Sequence, residues 1–148
     1  MKFIFLFLCF YHFYSYSQNS ESSLWIKDME IAKKISKKEH KPILMYFSGS
    51  DWCKPCMMLQ EDFFDSFEFK KFTDSFVFLY LDFPRNSDLI STERKIENSK
   101  LLELYNKNKQ FPLINILNSK GKVLDKISGY SSLRDPRYHF ELLQKFMK

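Results

Sequence analysis

The run Ile43-Leu44-Met45-Tyr46-Phe47 constrains the fold of this chain more than any other segment. An unbroken apolar run puts apolar side chains on both faces of an extended strand, so neither face can lie against water. Pro42 opens the run and Ser48-Gly49-Ser50-Asp51 closes it. It reads as a strand buried on both faces, inside a sheet that helices cover. Two similar runs follow. Phe76 to Phe83 ends at Pro84, and Leu113 to Leu117 is introduced by Pro112.

The segments between them read as helices. Leu24 to Lys38 is amphipathic, with Trp25, Met29, Ala32 and Ile35 on one stripe and lysines opposite. A helix is expected from Cys53 to about Phe64, with Pro55 tolerated because it lies in the first turn. Phe67 to Phe72 forms a second short helical piece, and Phe63, Phe64, Phe67, Phe69 and Phe72 read as its packing face. Ser91 to Lys107 is a polar helix whose contacts come late, at Leu101, Leu104 and Tyr105. Asn118 to Gly121 is a turn, and Lys122 to Ser128 returns as the second strand of a hairpin. Asp135-Pro136 starts a last helix that carries Phe140, Leu143, Phe146 and Met147 inward. The order α-β-α-β-α-β-β-α implies an α/β domain with a partly parallel sheet and an antiparallel closing hairpin.

Composition narrows the function. A chain of 148 residues has room for one core, and 45% hydrophobic with 28% charged residues excludes a disordered chain. The net charge of +5 is spread over separate lysine pairs, which makes a solvated surface and no nucleic-acid footprint. There is no Gly-rich phosphate loop, no H-E-x-x-H and no G-x-S-x-G, so nucleotide, metalloprotease and serine-hydrolase readings lack support.

Residues 1–17 read as a secretory signal peptide: Lys2, an apolar run from Phe3 to Phe10, and Ser15-Tyr16-Ser17 as the small-x-small cleavage site. The run is shorter than the ~18–20 apolar residues of a membrane-spanning helix. An uncleaved anchor and a cytosolic helix are the alternatives. After cleavage, residues 18–23 form a short polar lead-in and residues 24–148 the domain, located in the periplasm or another extracytoplasmic space, with no stable membrane span.

Cleavage also removes Cys9 and leaves Cys53 and Cys56, spaced C-x-x-C. So small a loop gains little from restricting the unfolded chain, which turns the pair from a staple into a reagent. It sits where strand and loop hand over to a helix. Unpaired N–H groups and the positive end of the helix dipole stabilise a thiolate at Cys53, and Lys54 adds positive charge. Cys53 can attack a substrate disulfide, and Cys56, one turn later, can resolve the mixed disulfide. A zinc site would need four ligands, and only His40 and His139 remain besides the pair. No Met- or His-rich loop supports a copper carrier.

The segment Ser48-Gly49-Ser50-Asp51-Trp52-Cys53-Lys54-Pro55-Cys56 resembles the active site of thioredoxin-fold proteins, and most of all the exported group related to the C-terminal domain of membrane disulfide reducers. The resemblance implies a thioredoxin fold, with a central mixed sheet of four to five strands flanked by helices and an extra N-terminal helix. It implies a thiol–disulfide oxidoreductase with Cys53 as nucleophile and Cys56 as resolving thiol, supported by Trp52, Lys54 and Pro55. Phe111-Pro112 matches the cis-proline of the family, beside which an extended substrate lies, and Gly129-Tyr130 matches a turn near the active site. No dissociable cofactor is expected, because the dithiol is the redox group. The implied partners are protein thiols and disulfides and an upstream redox partner, with a membrane electron donor as a candidate. Reduction is the favoured direction. Oxidase or isomerase activity, or a non-catalytic binding module, are the alternatives.

One departure stands out. Thioredoxins carry a buried Asp in the strand before the active site, and the matching position here is about Tyr46. Proton transfer to Cys56 must then use water or another group, such as Asp51 or Glu61. His40 is expected in a loop and His139 partly exposed on the last helix. Asp82 and Asp88 are expected as loop carboxylates without partners.

Overall fold

The computed structural model describes residues 24–147. The expected signal peptide and the polar lead-in lie outside the described residues. The elements are β1 (Trp25–Ile26), α1 (Met29–Glu39), β2 (Ile43–Ser48), α2 (Lys54–Leu59), β3 (Val77–Asp82), α3 (Thr92–Tyr105), β4 (Leu113–Leu117), β5 (Val123–Ser128) and α4 (Arg137–Gln144). Five strands form one sheet in the order β1-β3-β2-β4-β5. β1 and β2 run parallel to β3, whereas β4 is antiparallel to both β2 and β5. The mixed sheet and the closing hairpin agree with the sequence expectation.

All six residues of β2 are buried. Alternation sends Leu44 and Tyr46 into one core and Ile43, Met45 and Phe47 into the other. Met29 and Ala32 of α1 cover the second core, with Leu101, Leu102 and Tyr105 of α3 packed against it. The first is closed by Leu59, the phenylalanines that follow it, and Phe140, Leu142 and Leu143 of α4. No helix among the described residues is long and apolar enough to cross a membrane.

Several expectations need correction. The first helix begins at Met29 and not Leu24, because the Asp28 carboxylate caps it by accepting from the N–H groups of Glu30 and Ile31. Trp25 therefore lies on a strand, paired with Phe78, and its ring packs edge-on against Phe64 and Phe78. The helix after Cys56 continues as a π-helical turn over Gln60–Phe64, followed by a 3₁₀ turn over Glu68–Phe72. Of the five expected packing phenylalanines, Phe63, Phe64, Phe69 and Phe72 are buried and Phe67 is 81% exposed. Leu104 and Met147 are exposed as well. Pro136 takes the cap position of α4, and the helix ends at Gln144, which leaves Met147 outside the amphipathic register.

The Phe63 ring lies within 5.1 Å of the Phe64, Phe69 and Phe140 ring centres. Phe63→Ala is expected to lower unfolding stability by about 3–5 kcal/mol. Phe67→Ala should stay within about 0.5 kcal/mol. Urea unfolding of the two variants against the parent chain checks both values.

Candidate active site

The site is assembled at the carboxyl end of β2. A turn follows the strand, in which the Gly49 carbonyl accepts from the N–H groups of Trp52 and Cys53, at 3.2 and 2.8 Å. Gly49 is required by close approach: a Cβ there would lie 2.3 Å from the Trp52 indole. The turn delivers Cys53 to the cap position of α2. Cys53 and Cys56 are joined by a disulfide, and both are buried. The Cys53 sulfur also accepts from the Cys56 backbone N–H at 3.2 Å. An N–H aimed at this sulfur, together with the helix dipole, stabilises a thiolate on Cys53 once the disulfide is opened. Pro55 lies in the first turn, and Lys54 projects exposed from the first helical position.

Two aspartates and one tryptophan hold the site to the segment after β3. Asp82 ends β3 in register with Ser48, and its carboxylate accepts from the Ser50 N–H at 2.9 Å and the Ser50 hydroxyl at 2.6 Å. Asp51 accepts from the N–H groups of Arg85 and Asn86, at 2.9 and 2.8 Å. These bonds, that of Asn86 first, hold its carboxyl below the ordinary aspartate range. The Trp52 indole N–H donates to the Phe83 carbonyl at 2.7 Å. The Asn98 side-chain amide of α3 donates to the Asp82 carbonyl at 2.9 Å and supports the end of β3.

The structure brings Phe111 and Pro112 to the same place. Phe111 packs edge-on against Trp52, with ring centres 5.4 Å apart, and against Phe83 at 5.5 Å. The Phe111-Pro112 peptide bond is cis, and the Pro112 carbonyl accepts from the Gly129 N–H at 2.8 Å. Gly129 has a φ of +79°, a left-handed conformation that a Cβ disfavours. Tyr130, next in the chain, donates its hydroxyl to Asp62 at 2.8 Å. Asp62 also accepts twice from the Arg134 guanidinium, which reaches Glu61 at 2.7 Å. This clamp ties the π-helical turn after α2 to the segment after β5. The Arg134 bonds hold Asp62 below its usual range, and burial first, then Asp62, pushes the Tyr130 phenol up.

Tyr46 lies fully buried beneath α2 and donates its hydroxyl to the Cys56 carbonyl at 3.4 Å. Burial raises its phenol well above the ordinary tyrosine range, so it stays protonated and serves as a donor. Asp51 and Glu61, the expected substitutes for the missing carboxylate, are both engaged elsewhere. Asp51 is spent on two backbone N–H groups and Glu61 on Arg134.

Asp82, expected as a loop carboxylate without partners, instead ends β3 and bonds Ser50, while Arg85 and the bonds that join Tyr130 to Asp62 and Arg134 were missed by sequence reasoning. The one available signal was the charge that ends the second apolar run, level with the Ser48 end of the first. His139 also differs from expectation. It is 5% exposed, its ring lies 5.5 Å from those of Phe63 and Tyr130, and Nδ1 has no partner among the described residues. Burial lowers the imidazole to about 4 from 6.5, against a smaller opposing effect of its bond to the Gly129 backbone. The folded state thus holds His139 neutral while the unfolded chain takes up the proton. Stability from this group is complete above pH 6.5 and is lost as pH falls toward 4. Between pH 7 and pH 5 the chain should lose about 2 kcal/mol through this group, and His139→Gln should remove that part of the pH dependence. Urea midpoints of both proteins at the two pH values check it.

Comparison with known proteins follows the same lines. The thioredoxin-like family model matches residues 24–119. Disulfide bond reductase DsbH of Chlamydia pneumoniae is 34% identical over 93 residues, which cover 62% of this chain and 55% of that protein. Thioredoxin-related protein DsbJ of the same organism is 26% identical over 117 residues, 78% of this chain and 33% of that protein. The chain therefore spans about half and a third of the lengths of these two relatives. A solved structure of a DsbH oxidoreductase superposes with a TM-score of 0.71 at 30% identity, covering 82% of this chain and 83% of that one.

Proposed function

Because the chain belongs to the thioredoxin-like family and has its fold, we propose that it is a thiol–disulfide oxidoreductase that reduces disulfides in exported proteins. The observation that carries this reading is the Cys53 sulfur: it caps the start of α2, accepts the Cys56 N–H and is bonded to Cys56. A scaffold has no use for a pair so placed. The similarity to a protein named disulfide bond reductase supports the direction.

In the reduced protein the Cys53 thiolate attacks one sulfur of a substrate disulfide. A Cys53–substrate disulfide forms and the other substrate sulfur leaves as a thiolate. Cys56 then gives up its proton and attacks the Cys53 sulfur. The Cys53–Cys56 bond forms, the second substrate sulfur leaves, and both substrate thiolates are protonated. Two electrons have passed from the dithiol to the substrate. An upstream reductant of the dithiol or membrane electron-donor class must return them for another turn.

Each supporting residue has a physical task. Trp52, bonded to Phe83 and packed on Phe111, fixes the loop before Cys53. Pro55 stiffens the turn between the sulfurs, and Lys54 favours the thiolate. Phe111 and Pro112 line the groove for an extended substrate. Tyr46 holds the Cys56 carbonyl and leaves water to take the Cys56 proton. The lysine in the middle dipeptide favours the thiolate, hence the reduced form, and so pulls the potential in the oxidising direction. The apolar run after Lys2, with Ser15 and Ser17, supports export by a cleaved signal and a periplasmic or extracytoplasmic location.

Cys53→Ser is expected to abolish reduction of a protein disulfide, a loss of at least about a thousandfold, since the nucleophile is gone. Cys56→Ser should instead accumulate a covalent Cys53–substrate adduct, seen by non-reducing electrophoresis and released by dithiothreitol. Full exchange activity in Cys53→Ser contradicts the assignment.

A further inference from the structure

We propose that Arg85 is a specificity-determining residue that directs the Cys53–Cys56 pair toward substrate disulfides flanked by an acidic side chain, an inference that rests on the oxidoreductase reading above. The Arg85 backbone is fixed by Asp51, whose oxygens take the N–H groups of Arg85 and Asn86. Its guanidinium lies 5.0 Å from the Trp52 ring centre, over the residue that precedes Cys53. A cation stacked on an aromatic face is already ordered, so little freedom remains to be lost on binding.

No neighbouring carboxylate takes a hydrogen bond from it, although its charge, added to the Asn86 N–H bond, helps to hold Asp51 low. Asp51 is filled by the two backbone groups, and both oxygens of Asp82 are filled by Ser50. Elsewhere around the site, Arg134 satisfies Glu61 and Asp62. Arg85 forms no salt bridge and no side-chain hydrogen bond among the described residues, and Lys54 forms no ion pair there. Asp51, Asp82, Glu61 and Asp62 are thus engaged within the protein, while Arg85 and Lys54 keep free donors. The guanidinium has no hydrogen-bond partner among the described residues, and the paired N–H groups of its edge match a carboxylate in a bidentate contact. A substrate strand lying beside Pro112 would meet that edge with an Asp or Glu next to its cysteine.

The test uses two synthetic peptide disulfides, identical except for Glu or Lys beside the cysteine, and the full chain reduced beforehand. Second-order reduction rates are measured at low and high salt. The parent chain should reduce the Glu peptide roughly two- to fivefold faster than the Lys peptide, the effect of one exposed ion pair, and high salt should shrink the ratio. Arg85→Gln should lower the ratio toward one, leaving the part that Lys54 sustains, and Arg85→Glu should lower it further. Arg85→Lys should keep part of it. Lys37→Gln, an exposed charge change on α1, should keep the parent ratio. A parent ratio near one, or an unchanged ratio in Arg85→Gln, overturns the proposal and leaves the oxidoreductase reading standing. Failure to reduce either peptide overturns the oxidoreductase reading, and this proposal with it.

Discussion

β2 is bonded along both edges, to parallel β3 and antiparallel β4, and its side chains fill cores on both faces. A strand held in this way cannot slip, because a shift of one residue would exchange its two apolar sets. Its carboxyl end is therefore a fixed point. From it the chain needs only the Ser48–Trp52 turn to place Cys53 at the start of α2. The register that pairs Ser48 with Asp82 also places the Asp82 carboxylate where Ser50 can donate to it twice. The cysteine pair thus inherits its position from the strand that is paired on both edges.

Around that point the protein spends polar groups on holding its own loops. Asp51, Asp82 and the Trp52 indole fasten the active-site turn to the segment after β3. Tyr130, Asp62 and Arg134 fasten the helix after Cys56 to the segment after β5. The Gly129 N–H reaches the Pro112 carbonyl from the same segment. The neighbours of the pair are consequently set by three groups of contacts distant in sequence. Tyr46, where a thioredoxin carries a carboxylate, fills its space with a ring and offers a hydroxyl that stays protonated. Burial permits a neutral phenol there at far less cost than a charge.

The sequence made legible whatever was local or periodic. The apolar runs located β2, β3 and β4, Ser91 and the polar stretch after it located α3, and the W-C-x-P-C segment located the start of α2 with its cysteine pair. Pro112 was recognisable by its place before the fourth strand. What escaped depended on tertiary contacts. Trp25 fits a helical stripe with Met29 and Ala32, but Asp28 caps the helix after it and a partner strand at Phe78 takes the residue. Phe67 resembles its four neighbours in every local respect, and only the bend between the π and 3₁₀ turns sends it to solvent. A histidine on a short amphipathic helix reads as a surface group until Phe63 and Tyr130 close over it. The roles of Asp82 and Arg85 arise from bonds to residues more than thirty positions away, which no local pattern announces.

The central claim is that Cys53 and Cys56 form a reversible dithiol/disulfide couple poised for reduction. Its most direct test is the redox equilibrium of the pair against a graded glutathione series, followed in the whole chain by thiol trapping. A single two-electron transition is expected, somewhat above the thioredoxin value of about −270 mV because of Lys54 but closer to it than to about −120 mV. A transition near about −120 mV would contradict the reducing direction, and a pair that never equilibrates would contradict the claim itself.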